Sequence, residues 1–500
     1  MVRPVFSSLL SRRSFVRGGL LTSVAFPFIG YGRNAVGKAT LALIGAGKQG
    51  RGLLHAFLGQ DLVVTAVCDC DRARCEDRTR VVNEYYAQHP HLGVPGDACR
   101  AVADFREILA DPSIDMVCIA TPDHWHAYMV VEAMKAGKDV YSEKPLTHTV
   151  DEAKVILAAS AKYGRILQTG AMQRSGIEFR TACEVVRNGG IGKVMLVDAN
   201  FGGPSRPHRD YENPANAAAE GAPNPDVDFD MWCGGAPRVK YSDRLSPRGV
   251  HDFFPMFWRN DDYFGLGMCG DWGAHHLDIA QWGLGLDESG PVKVVKSEKA
   301  PSRDPNCGGR RQSGMSFLCA DGCVIRHSPY GGSAWGTVFY GTEGIVAVNR
   351  GRIAVWRGKG VTPDAALQKR LNEGTFDAME RVAFWNAPGD GKPPRPANNR
   401  SLLDAVNKAT KAFGLKKAKV KLYKANGHPA DFVACFKSRQ QPCSRAEVGA
   451  RSSILCNLCN LSYVHDAGFD WNPRANAFAN GTGDAAWLTK NYRGAWAVKL

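Results

Sequence analysis

Short runs of consecutive apolar residues alternate with longer amphipathic stretches through the first third of the chain. LALIG (41–45), VVTAVCD (63–69), MVCIATP (116–122), DVYSEKP (139–145) and RILQTG (165–170) are near-continuous apolar runs, as expected of parallel strands buried on both faces. The stretches 50–59, 124–136 and 150–163 have helical spacing and are long enough to cross over between such strands. Residues 39–170 are therefore predicted to form an α/β unit, a doubly wound parallel sheet. Beyond about residue 190 the pattern lengthens into alternating segments broken by Gly/Pro-rich connections at 214–226 and 386–399. That change predicts an α+β unit over 171–500, built on an open, mostly antiparallel sheet with C-terminal helices. Residues 430–465 return to helical spacing, and 466–500 read as an irregular arm packed by its aromatics.

Composition alters this picture in three places. A chain of 500 residues with 44% hydrophobic positions and 11 Trp can fill more than one core, which excludes wholesale disorder and small disulfide scaffolds. The net charge of +14 invites a nucleic-acid reading, but 12 of those charges sit in residues 1–38 and 401–425. The second block reads as solvated faces of a helix and a strand, so no nucleic-acid partner is expected. In the first block, Ser11-Arg12-Arg13-Ser14-Phe15 precedes the short apolar run GGLLTSVAFPFIG (18–30), the order of a twin-arginine export signal, so residues 1–38 are predicted to direct the protein to the periplasm. No other stretch is apolar enough to span a membrane. The 15 Cys are scattered singly through apolar segments and read as buried thiols, and Cys456 and Cys459 as part of a core helix.

Gly45-Ala46-Gly47-Lys48-Gln49-Gly50 follows the first apolar run directly and opens a helical stretch, the context in which Gly-x-Gly-x-x-Gly marks a dinucleotide-binding Rossmann turn. The first Gly permits the tight turn, the second lets backbone approach a pyrophosphate, and the third lets helix and strand pack closely. Asp69 lies 19 residues after Gly50, where a carboxylate accepts hydrogen bonds from ribose hydroxyls and repels a 2′-phosphate. NAD is thus favoured over NADP, with Arg72 and Arg74 close enough to soften the discrimination. Two further strand ends, Thr121-Pro122-Asp123-His124-Trp125-His126 and Glu143-Lys144-Pro145, project at the same carboxyl edge, where this architecture binds ligands. Thr121, Pro122, His124, His126, Glu143 and Lys144 are therefore expected beside the cofactor together with Lys48 and Gln49. Lys144 there can steady a developing alkoxide. In GDWGAHHLDIAQW, Asp271, His275 and Asp278 fall on one helical face, so the two carboxylates can flank an imidazole that accepts a proton. Arg174, Arg259, Trp272 and His276 are candidate substrate contacts. No metal is expected, because no third cluster accompanies the two histidines.

GAGKQG, ATPDHWHA, SEKPLTHT and GDWGAHHLDIAQW, taken in this order, resemble the Gfo/Idh/MocA family of glucose–fructose oxidoreductases and inositol dehydrogenases, and the tail is similar to its exported bacterial branch. The resemblance implies that Lys144, Asp271 and His275 form the catalytic group, and that the second domain carries a substrate face and an interface for a homodimer or homotetramer. It implies oxidation of a secondary hydroxyl of a sugar, cyclitol or glycoside. Outside the cytoplasm there is no free nicotinamide pool, so the cofactor would be tightly held. Two alternatives stand beside it: glycoside cleavage by transient C3 oxidation and elimination, and a non-enzymatic sugar sensor.

Overall fold

The computed structural model describes residues 37–500 apart from 209–222, 252, 255–256, 297–301, 304–310, 313–314, 329–335, 358–379 and 384–398. The twin-arginine segment and most of both Gly/Pro-rich connections lie outside the described residues.

The first domain is an all-parallel sheet of β1 (Thr40–Ile44), β2 (Val63–Cys68), β3 (Arg100–Val102), β4 (Met116–Ile119), β5 (Asp139–Ser142) and β6 (Leu167–Thr169). Helices α1 (Lys48–Leu58), α2 (Arg72–Gln88), α3 (Phe105–Ala110), α4 (Asp123–Lys135) and α5 (Val150–Tyr163) connect the strands. The strand order is 3-2-1-4-5-6, the doubly wound arrangement expected. The five apolar runs became β1, β2, β4, β5 and β6, each buried along nearly its whole length. Strand β3 is an addition: a three-residue edge with Arg100 and Ala101 exposed. Helix α5 starts where its sequence says it should, because Thr149 and Glu152 form a reciprocal capping box, and Gly164 closes it in the left-handed conformation. The order reverses between β1 and β4, which opens a crevice at their carboxyl ends.

The second domain is a ten-stranded sheet. Its strands are β7 (Val194–Asn200), β8 (Lys293–Lys296), β9 (Met315–Leu318), β10 (Val324–Ser328), β11 (Thr337–Gly341), β12 (Gly344–Asn349), β13 (Arg352–Arg357), β14 (Glu380–Ala383), β15 (Phe469–Asn472) and β16 (Ala477–Ala479). Its order is β14-β13-β12-β11-β7-β10-β9-β8-β15-β16. Among the described residues only the β7–β10 pairing of this sheet is parallel, so the sheet is mostly antiparallel as expected. Helices α6 (Ile177–Arg187) and Gly273–Leu284 cover one face and share its core with Val197, Phe317, Phe339 and Val346. The arm beyond residue 466 is more regular than expected, since β15 and β16 extend the sheet before Trp496 docks on Trp125, ring centroids 5.0 Å apart. The Lys-rich block runs through the helix Asn399–Ala412 and a 3-10 turn at Leu415–Lys417, then continues as irregular chain without the expected strand. No helix among the described residues is long and apolar enough to cross a membrane.

Two late helices bind the domains together. His428–Ser438 inserts Phe432 into the first domain's core, edge-on to Phe57 and Tyr141 at centroid distances of 6.2 and 5.9 Å. This helix therefore packs with the first unit, although the sequence places it in the second. Ala446–Val464 is buried nearly all round, with Cys456 and Cys459 in its core face as expected and Cys459 Sγ 3.6 Å from Cys269 Sγ.

Arg174, just past β6, ties these parts together. Its guanidinium donates to both oxygens of Asp278 at 2.8 Å and to both of Asp287 at 2.7 and 3.1 Å, and it lies over Trp282 at 5.1 Å. Ser452 donates to the same Asp278 at 2.6 Å. Arg174 is 2% exposed and Asp278 1%, so removing the cation strands the Asp278 carboxylate away from water and deprives the partly exposed Asp287 of its partner. Arg174→Ala is expected to cost about 3–5 kcal/mol of stability. Equilibrium denaturation checks this, and a loss below about 1 kcal/mol, the level of a surface pair, would contradict the clamp.

Candidate active site

The glycine turn, the ends of β2, β4 and β5, and the helix segments Gly267–Asp271 and Gly273–Leu284 enclose a single cavity of about 340 Å³. At one end lies the turn after β1. Gly45 has φ +98°, and a Cβ there would stand 2.6 Å from the Ala120 carbonyl carbon. A Cβ at Gly50 would fall 1.9 Å from the Gly45 oxygen, whereas one at Gly47 meets nothing within 4 Å. The turn is thus packed shut on both sides of Gly47 and open over Gly47 itself, the shape a pyrophosphate cradle needs. Helix α1 begins there without a side-chain cap. Asp69 braces the turn, accepting from Ala46 N–H at 2.6 Å and Asp71 N–H at 2.8 Å, and it also lines the cavity. These features fit the adenosine half of a dinucleotide.

At the other end Lys144 Nζ donates to Asp271 Oδ1, joining the two domains across the cavity. Burial pushes the Asp271 carboxyl up, but Lys144, Arg259 and Arg350 outweigh it and hold the group below the ordinary carboxylate value. His275 lines the same space, with Nδ1 buried and unpartnered. Burial, reinforced by the positive charges of Lys144 and Arg350, drives the His275 pKa well below 6.5, so this imidazole is neutral and able to take a proton at neutral pH. Glu143 is buried and accepts from Gln49 Nε2 at 2.9 Å, which links the glycine turn to the lysine-bearing loop. Asp123, at the start of α4, is pushed up to about 7 by burial, against the pull of Lys144 and Arg259.

Of the residues singled out in the sequence, Gly45, Gly47, Lys48, Gln49, Asp69, Thr121, Pro122, His126, Glu143, Lys144, Arg259, Asp271, Trp272 and His275 line the cavity. Gly50 sits behind it as packing. His126 lies between the Pro145 and Thr121 carbonyls at 2.7 and 2.9 Å and holds the two strand-end loops together. Four expectations need correction. His124 turns away from the cofactor space, its Nε2 3.0 Å from the Trp232 carbonyl. Arg174 is consumed by Asp278 and Asp287, so it cannot meet substrate. His276 is buried with Nδ1 against the Asn200 carbonyl, pointing into the second sheet. Asp278, taken up by Arg174 and Ser452, does not flank His275. The sequence reading missed Asp123, Met172, Trp258 and Arg350, all of which line the cavity. Asp123 stands inside a quoted motif and its position was available; Arg350 arrives only through the folding of the second sheet. Among the described residues no cluster of His, Cys, Asp and Glu could hold a metal ion.

Residues 39–171 match the model of an oxidoreductase family's NAD-binding Rossmann fold, and residues 211–344 match the model of the same family's C-terminal alpha/beta domain. An inositol 2-dehydrogenase of Rhodococcus jostii is 33% identical over 131 residues, 25% of this chain and 35% of that protein. A glycosyl hydrolase family 109 protein of Shewanella is 31% identical over 163 residues, 28% of this chain and 35% of that protein. The matched segments span about a third of the length of these relatives. A levoglucosan dehydrogenase solved with NADH shares the fold, with 19% identity and a TM-score of 0.50 over 86% of this chain and 98% of that one.

The two inner glycines make separable predictions. Gly47→Ala is expected to leave the melting temperature nearly unchanged and weaken NAD binding about tenfold or more, as read by calorimetric titration. Gly50→Ala should instead lower the melting temperature outright, because its methyl has no room. Equal behaviour of the two variants would remove the cradle assignment.

Proposed function

The chain belongs to the Gfo/Idh/MocA oxidoreductase family, and from that premise we propose that it transfers hydride between a secondary hydroxyl of a sugar, cyclitol or glycoside and NAD. The observation that carries this reading is the convergence of the Lys144–Asp271 pair and the neutral His275 on the cavity that also holds the glycine cradle. A bound nicotinamide supplies the hydride acceptor or donor. His275 takes the hydroxyl proton, its imidazole kept basic-form by burial. Lys144 presents a positive charge to the oxygen that becomes negative as that proton leaves, and Asp271 fixes where the ammonium points. Gln49 and Glu143 hold the lysine-bearing loop against the cradle, so hydroxyl and cofactor meet at a set spacing.

Preference for NAD over NADP is supported by Asp69 and by the pairing of the nearby arginines: Arg72 with Asp226 and Arg74 with Asp71 at 3.2 Å. Neither guanidinium is left without an acid for a 2′-phosphate. The twin-arginine segment supports an exported enzyme that carries its cofactor, and the family resemblance supports a homo-oligomer. Similarity to the glycosyl hydrolase family 109 protein favours one second reading, in which C3 of a glycoside is oxidised only transiently and the bond to the aglycone is eliminated.

Absorbance of the NAD-loaded protein during a sugar panel separates the two. Reduced nicotinamide accumulating with a sugar supports the dehydrogenase, and glycoside cleavage without accumulation supports the second reading. Lys144→Met should retain NAD affinity while turnover falls about 10²- to 10⁴-fold; full activity would sink the role of Lys144. Imidazole NMR, with His275 assigned through His275→Asn, should show a neutral ring from pH 8 down through 6.5, its charging delayed to well below that value. A midpoint at 6.5 would contradict the environment derived for it.

A further inference from the structure

Arg350, from the second sheet, reaches into the cavity. Arg350 occupies the tight turn between β12 and β13, next to Gly351 at φ +71°. The turn is pinned from two sides: Gly351 N–H donates to Glu178 Oε1 of α6 at 3.0 Å, and Arg350 N–H donates to Asn349 Oδ1 at 2.8 Å. From this anchored backbone the Arg350 guanidinium lies over the face of Trp272, 4.7 Å from the ring centroid. Arg350 and Trp272 line the cavity together with Asp271 and His275.

Stacking occupies the flat face of a guanidinium and leaves its N–H groups free around the edge. Among the described residues no carboxylate pairs with that edge. Asp271 is engaged by Lys144, and Glu178 is spent on the Gly351 backbone. A neutral polyol can accept from these N–H groups but leaves the guanidinium without a counter-charge. A planar carboxylate matches a guanidinium edge with two parallel, charge-assisted hydrogen bonds, and withdrawal from bulk water strengthens the pair. We propose that the substrate is a sugar acid whose carboxylate is bound by Arg350 while a secondary hydroxyl of the same molecule lies between Lys144 and His275. This rests on the reading of the cavity as a dehydrogenase site, and it adds a specificity residue contributed by the second domain.

The test is calorimetric binding to the NAD-loaded full chain of D-glucuronate, D-galacturonate and D-gluconate, each beside its neutral counterpart D-glucose, D-galactose or D-glucitol, with NAD reduction recorded in parallel. The expected result is at least one acid binding about tenfold or more tighter than its counterpart. That advantage should vanish in Arg350→Gln and return in part in Arg350→Lys, which restores charge without the fork. Unchanged NAD affinity and melting temperature in both variants show that the fold is intact. Equal binding of acid and neutral partner, no binding of any acid, or a preference that survives Arg350→Gln overturns the proposal. An acid that binds through Arg350 but never reduces NAD overturns the dehydrogenase reading instead and leaves the anion site standing.

Discussion

Everything in the cavity depends on how firmly the helix Gly273–Leu284 is held against the end of the first sheet, and a buried ionic clamp does the holding. Arg174 leaves β6, reaches Asp278 on that helix and Asp287 just beyond it, and through Asp278 meets Ser452 on the helix Ala446–Val464. Three elements distant in sequence are thereby locked at one point. Such a cluster gains little net stability over an apolar packing of the same shape, but it tolerates few alternative arrangements, because any slippage strands a charge. His275 lies about one turn from the clamped Asp278 on the same helix, so the precision of the clamp is passed along that helix to the imidazole, while Asp271 ends the short segment just before it.

The second organising element is a balance of charge across the domain boundary. The first domain supplies Lys144, Asp123 and Glu143, and the second supplies Asp271, Arg259 and Arg350. Each domain alone would hold an unbalanced set partly removed from water. Together, the lysine of one finds the aspartate of the other, and burial, reinforced by the positive charges of Lys144 and Arg350, keeps His275 in its neutral form. The site is therefore a property of the assembled pair of domains.

Much of this was legible beforehand, in proportion to how local the determining interactions are. Apolar runs without alternation announce strands buried on both faces, and the reciprocal cap of Thr149 and Glu152 marks where α5 begins. Strand β3 has no such run; it pairs with β2 at an exposed edge, and nothing in Arg100-Ala101-Val102 distinguishes it from a loop. The glycine turn and Lys144 were readable because their chemistry follows from their place at strand ends. Arg174, His124 and His276 were misjudged for a common reason: a polar side chain near a motif looks like a ligand contact until its partner is known, and Asp278, the Trp232 carbonyl and the Asn200 carbonyl come from far along the chain. Arg350 shows the converse. Asn349-Arg350-Gly351-Arg352 between two apolar runs reads as a hairpin turn, and only the assembled sheet determines that the turn reaches the cavity.

The position of Phe432 bears on how the molecule is made. The first domain's strands and crossover helices are complete by residue 169, yet the core around Phe57 and Tyr141 is filled by a side chain that follows after most of the second domain. A nascent chain emerging from the ribosome carries its nucleotide-binding sheet with that apolar face open until the helix His428–Ser438 has been synthesised. Closing it needs a contact across most of the chain's length, the kind that folds slowly and only once the intervening domain has taken shape. The order of synthesis thus makes the substrate domain a precondition for a finished nucleotide domain, so a chain that stops early leaves its nucleotide-binding core unsealed.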